Sequence, residues 1–151
     1  MENLNRRQVM VLAVGAAAVT ALGLPKGLLA GREEAMAQVM EFTGGATPSE
    51  GGVTLDMPEI AENGNTVPLS VSVDTPQTAD EHAQSVMILA AGNPNPGVAT
   101  FNFTELSGVA EATTRMRLAG TQDVIAVAKM NDGSFRMTET VVKVTIGGCG
   151  G

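Results

Sequence analysis

Thr66–Asp74 reads TVPLSVSVD. Val67, Leu69, Val71 and Val73 occupy every second position, with Pro68, Ser70 and Ser72 between them, which is the period of a strand with one face on a core. Upstream, Val53–Met57 (VTLDM) alternates in the same way. Downstream, Ser85–Ala91 is a continuous apolar run, as expected of a strand covered on both faces. Val98–Thr104 puts Phe101 and Phe103 on one side. Ala110–Leu118 turns Ala112, Thr114, Met116 and Leu118 inward and Glu111, Arg115 and Arg117 outward. Val124–Met130 and Phe135–Ile146 flank Asn131-Asp132-Gly133-Ser134, a hairpin signal. In that last strand the apolar phase shifts between Met137 and Val142, which predicts a bulge or a strand that changes sheets. Turn residues separate the runs at Asp74-Thr75-Pro76, Asn93–Gly97, Ser107-Gly108 and Ala119-Gly120. Six to eight short strands in about 100 residues, with no helix between them, predict an all-β, immunoglobulin-like sandwich. A small closed barrel is the structural rival.

The 151 residues, 44% of them hydrophobic, suit one domain, and no internal repeat is evident. With four Phe and no Trp or Tyr, its core must rest on Val, Ile, Leu, Met and Ala. The net charge of −7 argues against nucleic acid, because neutralising phosphate needs a basic stripe.

The chain starts MENLNRRQVMVLAVGAAAVTALGLPKG. Arg6-Arg7 precede an uncharged apolar stretch from Val9 to Leu24, shorter than the roughly 20 residues of a membrane span. A basic segment, a short apolar segment and small residues after it make a secretory signal, and the paired arginines are similar to the twin-arginine type. Asn5 and Val9 depart from that pattern. A single N-terminal membrane anchor is the alternative. Ala35-Met36-Ala37 and Leu28-Leu29-Ala30 are both plausible cleavage sites. Cutting after Ala30 keeps residues 33–42, EEAMAQVMEF, which read as a short amphipathic helix with Met36, Val39 and Met40 on one face and Gly44-Gly45 as its stop. The expected division is therefore a leader over 1–30, a sandwich over 31–146 and a tail over 147–151. Removing the leader takes away three basic residues and one acid, so −7 becomes −9. The expected location is the periplasm, by twin-arginine export, with no stable membrane association after cleavage.

No catalytic constellation stands out. His82, the single histidine, lies in TADEHAQ beside two acids and reads as a solvated loop residue. One Cys and one His fall short of a structural zinc site, so no metal and no cofactor are expected. Asp56–Asn65 holds three carboxylates without the order of a calcium loop, and reads as a long turn with partner contact as the alternative.

The chain ends VVKVTI-GGCGG, with Cys149, its one cysteine, between Gly147-Gly148 and Gly150-Gly151. A Gly-rich tail behaves as flexible coil. From Ile146 to Cys149 it spans about 10 Å when extended. No neighbouring base or cation activates the thiol in the way an enzyme nucleophile requires. Cys149 therefore reads as an attachment point whose chemistry comes from elsewhere. Other readings are a disulfide-linked homodimer, a thiocarboxylate carrier of the ubiquitin-like kind (which would need ATP), and an incidental cysteine on a disordered tail. Prenylation requires the cysteine one position earlier.

Four features in order carry a resemblance: the twin-arginine-like leader, LDMPEIAENGNTVPLSVSVD (Leu55–Asp74), NPNPGVATFNF (Asn93–Phe103) and the terminal VKVTIGGCGG. Together they are similar to the SoxY family, the carrier subunits of the bacterial thiosulfate-oxidising Sox system. The resemblance implies a non-enzymatic immunoglobulin-like protein that pairs with SoxZ and carries substrate on a swinging arm ending in Cys149. It further implies that SoxXA, a c-type haem enzyme, joins thiosulfate to that cysteine, that SoxB hydrolyses off sulfate, and that a sulfane dehydrogenase oxidises the sulfur left behind. The competing class is a secreted structural or adhesion-type domain.

Overall fold

The computed structural model describes residues 26–148, with side chains from residue 31. Residues 1–25, with Arg6 and Arg7, and residues 149–151, with Cys149, Gly150 and Gly151, lie outside the described residues.

TVPLSVSVD forms β4 (Val67–Val73), with its four alternate apolar side chains buried. β4 is the middle strand of a three-stranded antiparallel sheet, between β2 (Val53–Asp56) and β7 (Glu111–Met116). The larger sheet runs in the order β1 (Ser49–Glu50), β9 (Phe135–Val144), β8 (Gln122–Met130), β5 (Ala83–Ala90), β6 (Gly97–Asn102). A further short strand, β3 (Ile60–Ala61), pairs in parallel with the far end of β9. The expected β-sandwich is the fold observed. Asp56–Asn65, read as an uninterrupted turn, contains β3, whose two residues are too few to show a period.

The larger sheet is covered on both faces. Val86, Ile88 and Ala90 of β5 and Val124, Ala126 and Ala128 of β8 face the smaller sheet and form the main core with β4. Their neighbours on the opposite face, Leu89, Ile125 and Val127, pack with Ala91 and Phe135 against a helix. This alternation of two apolar faces is why Ser85–Ala91 reads as one unbroken run.

The same layering corrects the expectation for β9. Its ladder with β8 is regular from Gln122 opposite Val142 to Lys129 opposite Phe135, with no bulge and no change of sheet. The apolar phase shifts because the covering layer changes. Phe135 and Met137 point toward the helix, whereas Val142 and Val144, of opposite parity, point into the main core.

The helix, α1 (Lys26–Thr43), is longer than the ten residues expected and begins before the expected leader boundary. Among the described residues no helix is long and apolar enough to cross a membrane. Ala35 and Val39 are its buried contacts, Phe42 meets Phe135 edge to face at 6.0 Å, and Met36 is partly buried. Met40, expected on the packed face, is 62% exposed. The inward stripe runs through Ala35, Val39 and Phe42, one turn apart, and Met40 falls beside it. At Gly31 the helix backbone comes so close to the Ala91 carbonyl that a side-chain carbon would collide with it. Arg32 adds ion pairs to Asp123 on β8 (2.7 Å) and Glu139 on β9 (3.0 Å). Hydrogen bonding to Glu139, then that carboxylate's charge, raises the guanidinium pKa above its usual value. Because Arg32 is half exposed, each pair contributes at most about 1 kcal/mol.

Candidate functional site

The site lies where β9 leaves the sandwich toward the C-terminus. On one side the 59–64 segment follows the departing strand: Lys143 N–H donates to the Glu59 carbonyl (2.9 Å) and Thr145 N–H to that of Ala61 (3.1 Å). The Thr145 hydroxyl donates to the Glu62 carbonyl (2.9 Å). On the other side, Val144 N–H donates to Thr121 Oγ1 (2.9 Å).

Beyond Thr145, among the described residues, backbone groups hold the chain. Gly64 N–H donates to the Ile146 carbonyl (2.8 Å), Leu118 N–H to the Gly64 carbonyl (2.8 Å), and Gly148 N–H to the Leu118 carbonyl (2.9 Å). Three hydrogen bonds thus link the end of β9, the 62–66 loop and the 117–121 turn. A side-chain carbon at Gly64 would collide with the Leu118 carbonyl oxygen and stand 2.6 Å from the Gly148 nitrogen. One at Gly147 would collide with the Ala119 carbonyl oxygen, and one at Gly148 would stand 2.8 Å from that of Gly64. None of these three glycines has a positive φ. They are glycine because backbone packs on backbone.

Gly147 and Gly148 are the two residues of the expected arm that fall within the described residues. Both were expected as flexible arm, and both are seated here, Gly148 buried and Gly147 against Ala119. Of the expected arm, Cys149, Gly150 and Gly151 lie beyond the described residues.

A buried amide pair braces the seat. Asn93 donates from Nδ2 to the Arg117 carbonyl (2.9 Å), and its Oδ1 accepts from Ala119 N–H and from Gln122 Nε2 (both 2.9 Å). Gln122 also donates to the Gly120 carbonyl (3.1 Å), and its Oε1 accepts from Gly92 N–H (2.7 Å). Leu118, whose side chain is fully buried, thus has its neighbours on both sides tied to the turn at Gly92-Asn93. Across the seat, Asn63 Oδ1 accepts from Asn65 N–H (3.0 Å) and shapes the 62–66 loop. Asn93 reads in the sequence only as part of a Pro-rich turn, and Gln122 carries no signal at all. The turn signals at Asn93–Gly97 and Ala119-Gly120 mark the two loops without pairing them.

His82 is remote from this seat. Its ring Nδ1 lies 2.9 Å from the Thr78 carbonyl, and its amide donates to Asn131 Oδ1 (3.1 Å), which places it at the hairpin end of β9. The ten residues of β9 separate that end from the exit, about 30 Å at the usual rise. Cys149 follows Gly148 directly, and consecutive Cα atoms are about 3.8 Å apart, so a seated tail cannot make a Cys–His pair. Among the described residues no group of three His, Cys, Asp or Glu could hold a metal. The seat offers amide and carbonyl groups. These can grip a chain.

A family model described as sulfur oxidation protein SoxY matches residues 39–149, a range that takes in the seat and ends on Cys149. The solved structure of the sulfur carrier protein SoxY from Chlorobium limicola f thiosulfatophilum is 29% identical, with a TM-score of 0.62 over 76% of this chain and 99% of that one. Superoxide reductase (neelaredoxin) from Ignicoccus hospitalis is 18% identical, with a TM-score of 0.55 over 62% of this chain and 80% of its own. Superoxide reductase from Nanoarchaeum equitans is 15% identical, with a TM-score of 0.54 over 64% of this chain and all of its own. Those two share the fold alone. No curated protein sequence matches this chain.

Proposed function

Because this chain belongs to the SoxY family of sulfur oxidation proteins, we propose that it is a sulfur carrier whose Cys149 thiol holds sulfur intermediates while other proteins act on them. The observation that carries this reading is the seat. The fold fixes the chain as far as Gly148, and the single cysteine of the sequence follows at the next position. The surroundings of that root grip the chain through backbone amide and carbonyl groups.

In the first step the thiol joins the outer sulfur of thiosulfate. One S–H bond is lost and one S–S bond forms, a proton leaves, and two electrons pass to an oxidant, for which a c-type haem partner such as SoxXA is the natural acceptor. Hydrolysis of the S–SO3 bond, the part assigned to SoxB, puts water oxygen on the departing sulfate and leaves a persulfide on Cys149. A sulfane dehydrogenase would take six electrons from the outer persulfide sulfur to its own electron acceptor while three water molecules supply the oxygens, giving Cys149–S–SO3. Hydrolysis of that S–S bond would release sulfate and restore the thiol. SoxZ would be the pairing subunit. The Cα of Cys149 is about 3.8 Å from that of Gly148, so a partner that draws the thiol deeply inward must lift Gly147 and Gly148 from their seat. Only backbone hydrogen bonds and glycine contacts need to break.

Intact-mass analysis of the protein during thiosulfate oxidation tests the carrier role. The expected result is a reductant-removable sulfur adduct on Cys149 that is absent in Cys149→Ser, with thiosulfate oxidation lost in that variant. A thiol that stays unmodified, or forms only protein–protein disulfides, during turnover would overturn it in favour of a structural or adhesion-type domain.

A further inference from the structure

The two candidate cleavage sites of the leader differ sharply in what they would remove from the fold. Cutting after Ala37 would take away Gly31, Arg32 and Ala35. Gly31 is where the α1 backbone lies against the Ala91 carbonyl, and Arg32 ties the helix to Asp123 on β8 and Glu139 on β9. Ala35 is fully buried against the apolar face that includes Leu89, Ile125 and Val127. Without that turn of helix, those side chains would lose part of their cover and meet water. Cutting after Ala30 would remove none of these contacts.

Access points the same way. A peptidase that reads small residues before its scissile bond takes its substrate as an extended strand, so it must unwind the turn it cuts. Around Ala37 that turn carries Ala35 and is followed by Val39, both buried. Twin-arginine export moves folded protein, so this turn would already be packed when the peptidase meets it. Ala30 precedes Gly31, which is packed on Ala91, and follows the first helical turn.

We propose that Ala30–Gly31 is the processing bond, and that Ala35-Met36-Ala37 is a sequence match hidden by folding. The assignment rests on reading residues 1–30 as a leader. It also gives a use to a glycine inside a helix, which costs about 1 kcal/mol relative to alanine in mid-helix and much less at a chain terminus. In the mature protein Gly31 would be that terminus, still small enough to sit on Ala91.

The test is to express the full chain in a bacterium with a working twin-arginine pathway and determine the N-terminus of the exported form by sequencing and intact mass. The expected start is Gly31-Arg32-Glu33. A start at Gln38 would overturn the assignment while leaving the leader reading intact. A chain that keeps its first residues would overturn the leader reading and the assignment together. As a second measurement, Ala30→Glu places a charge where a small residue is read and should abolish formation of the mature form, with full-length precursor accumulating. Efficient rerouting to a Gln38 start in that variant would show that the helix does not protect Ala37.

Discussion

β9 begins and ends beside a glycine, and the two are there for opposite reasons. At its start the hairpin passes through Gly133, at φ +84°, with nothing within 4 Å of where a side chain would lie. At its end the chain passes through Gly147 and Gly148, neither with a positive φ, both pressed against backbone from other parts of the molecule. The first glycine answers a local demand for a left-handed conformation, the second pair a demand for space made by Ala119, Gly64 and Asn65. The first is what a turn needs. The second makes a seat that holds the root of the tail through backbone hydrogen bonds and glycine contacts.

Filling the seat should have the largest effect. Gly64→Ala leaves the local conformation allowed but drives a methyl group into the Leu118 carbonyl and toward the Gly148 amide. Overpacking of this kind costs about 1–3 kcal/mol, and the tail root is the one of the three strands of chain that can move away. The expected result is loss of hydrogen-exchange protection at the Gly148 amide and faster alkylation of Cys149, with the sandwich core amides of β5 and β8 still protected. In the unsubstituted protein the Gly64 and Gly148 amides should be protected. If they exchange as fast as an open chain, the contrast between the two ends of β9 collapses.

The difference also explains what could be read from the sequence. Gly133 lies in Asn-Asp-Gly-Ser between two apolar runs, so a window of a dozen residues contains its whole cause. The alternation of Val67 to Val73 is equally local, and the strands followed from it. The role of Gly148 depends on Gly64 and Leu118, dozens of residues away, and no local pattern announces that. A glycine pair before Cys149 therefore reads as looseness until the fold shows what stands beside it. β9 shows the same limit. Its phase shift was visible, but the reason for it, helix cover at one end and sheet cover at the other, depends on α1, about a hundred residues earlier.

A smaller effect is expected at the other end of the strand. Gly133→Ala places a side chain on a left-handed residue with open space around it, a cost of about 1 kcal/mol. It should lower the unfolding midpoint modestly and leave Cys149 alkylation unchanged. An equal acceleration of alkylation in Gly133→Ala and Gly64→Ala would mean that general loosening, and not release from the seat, governs the thiol.

The smallest effect belongs to Asp132, the carboxylate that shapes the same hairpin. Its oxygen accepts from the Ser134 hydroxyl (2.6 Å) and from Ser134 N–H (2.8 Å), and those bonds, the hydroxyl's first, hold its pKa below the usual carboxylate value. A group depressed on folding contributes stability that is present above its unfolded pKa, about 3.9, and is lost as pH falls through the lower folded value. Asp132→Asn keeps an acceptor oxygen and removes the titration. Compared by urea unfolding, the two proteins should differ slightly and constantly from neutral pH down to the ordinary carboxylate range. Below it the gap should close, because only the Asp132 protein loses its charged hydrogen bonds. The same pH step should leave protection of the Gly148 amide equal in the two proteins, since the seat is made of backbone groups that do not titrate. A gap that stays constant below the carboxylate range would show that the charge of Asp132 plays no part in holding the turn. A Gly148 amide that tracks the hairpin would show that the two ends of β9 are coupled.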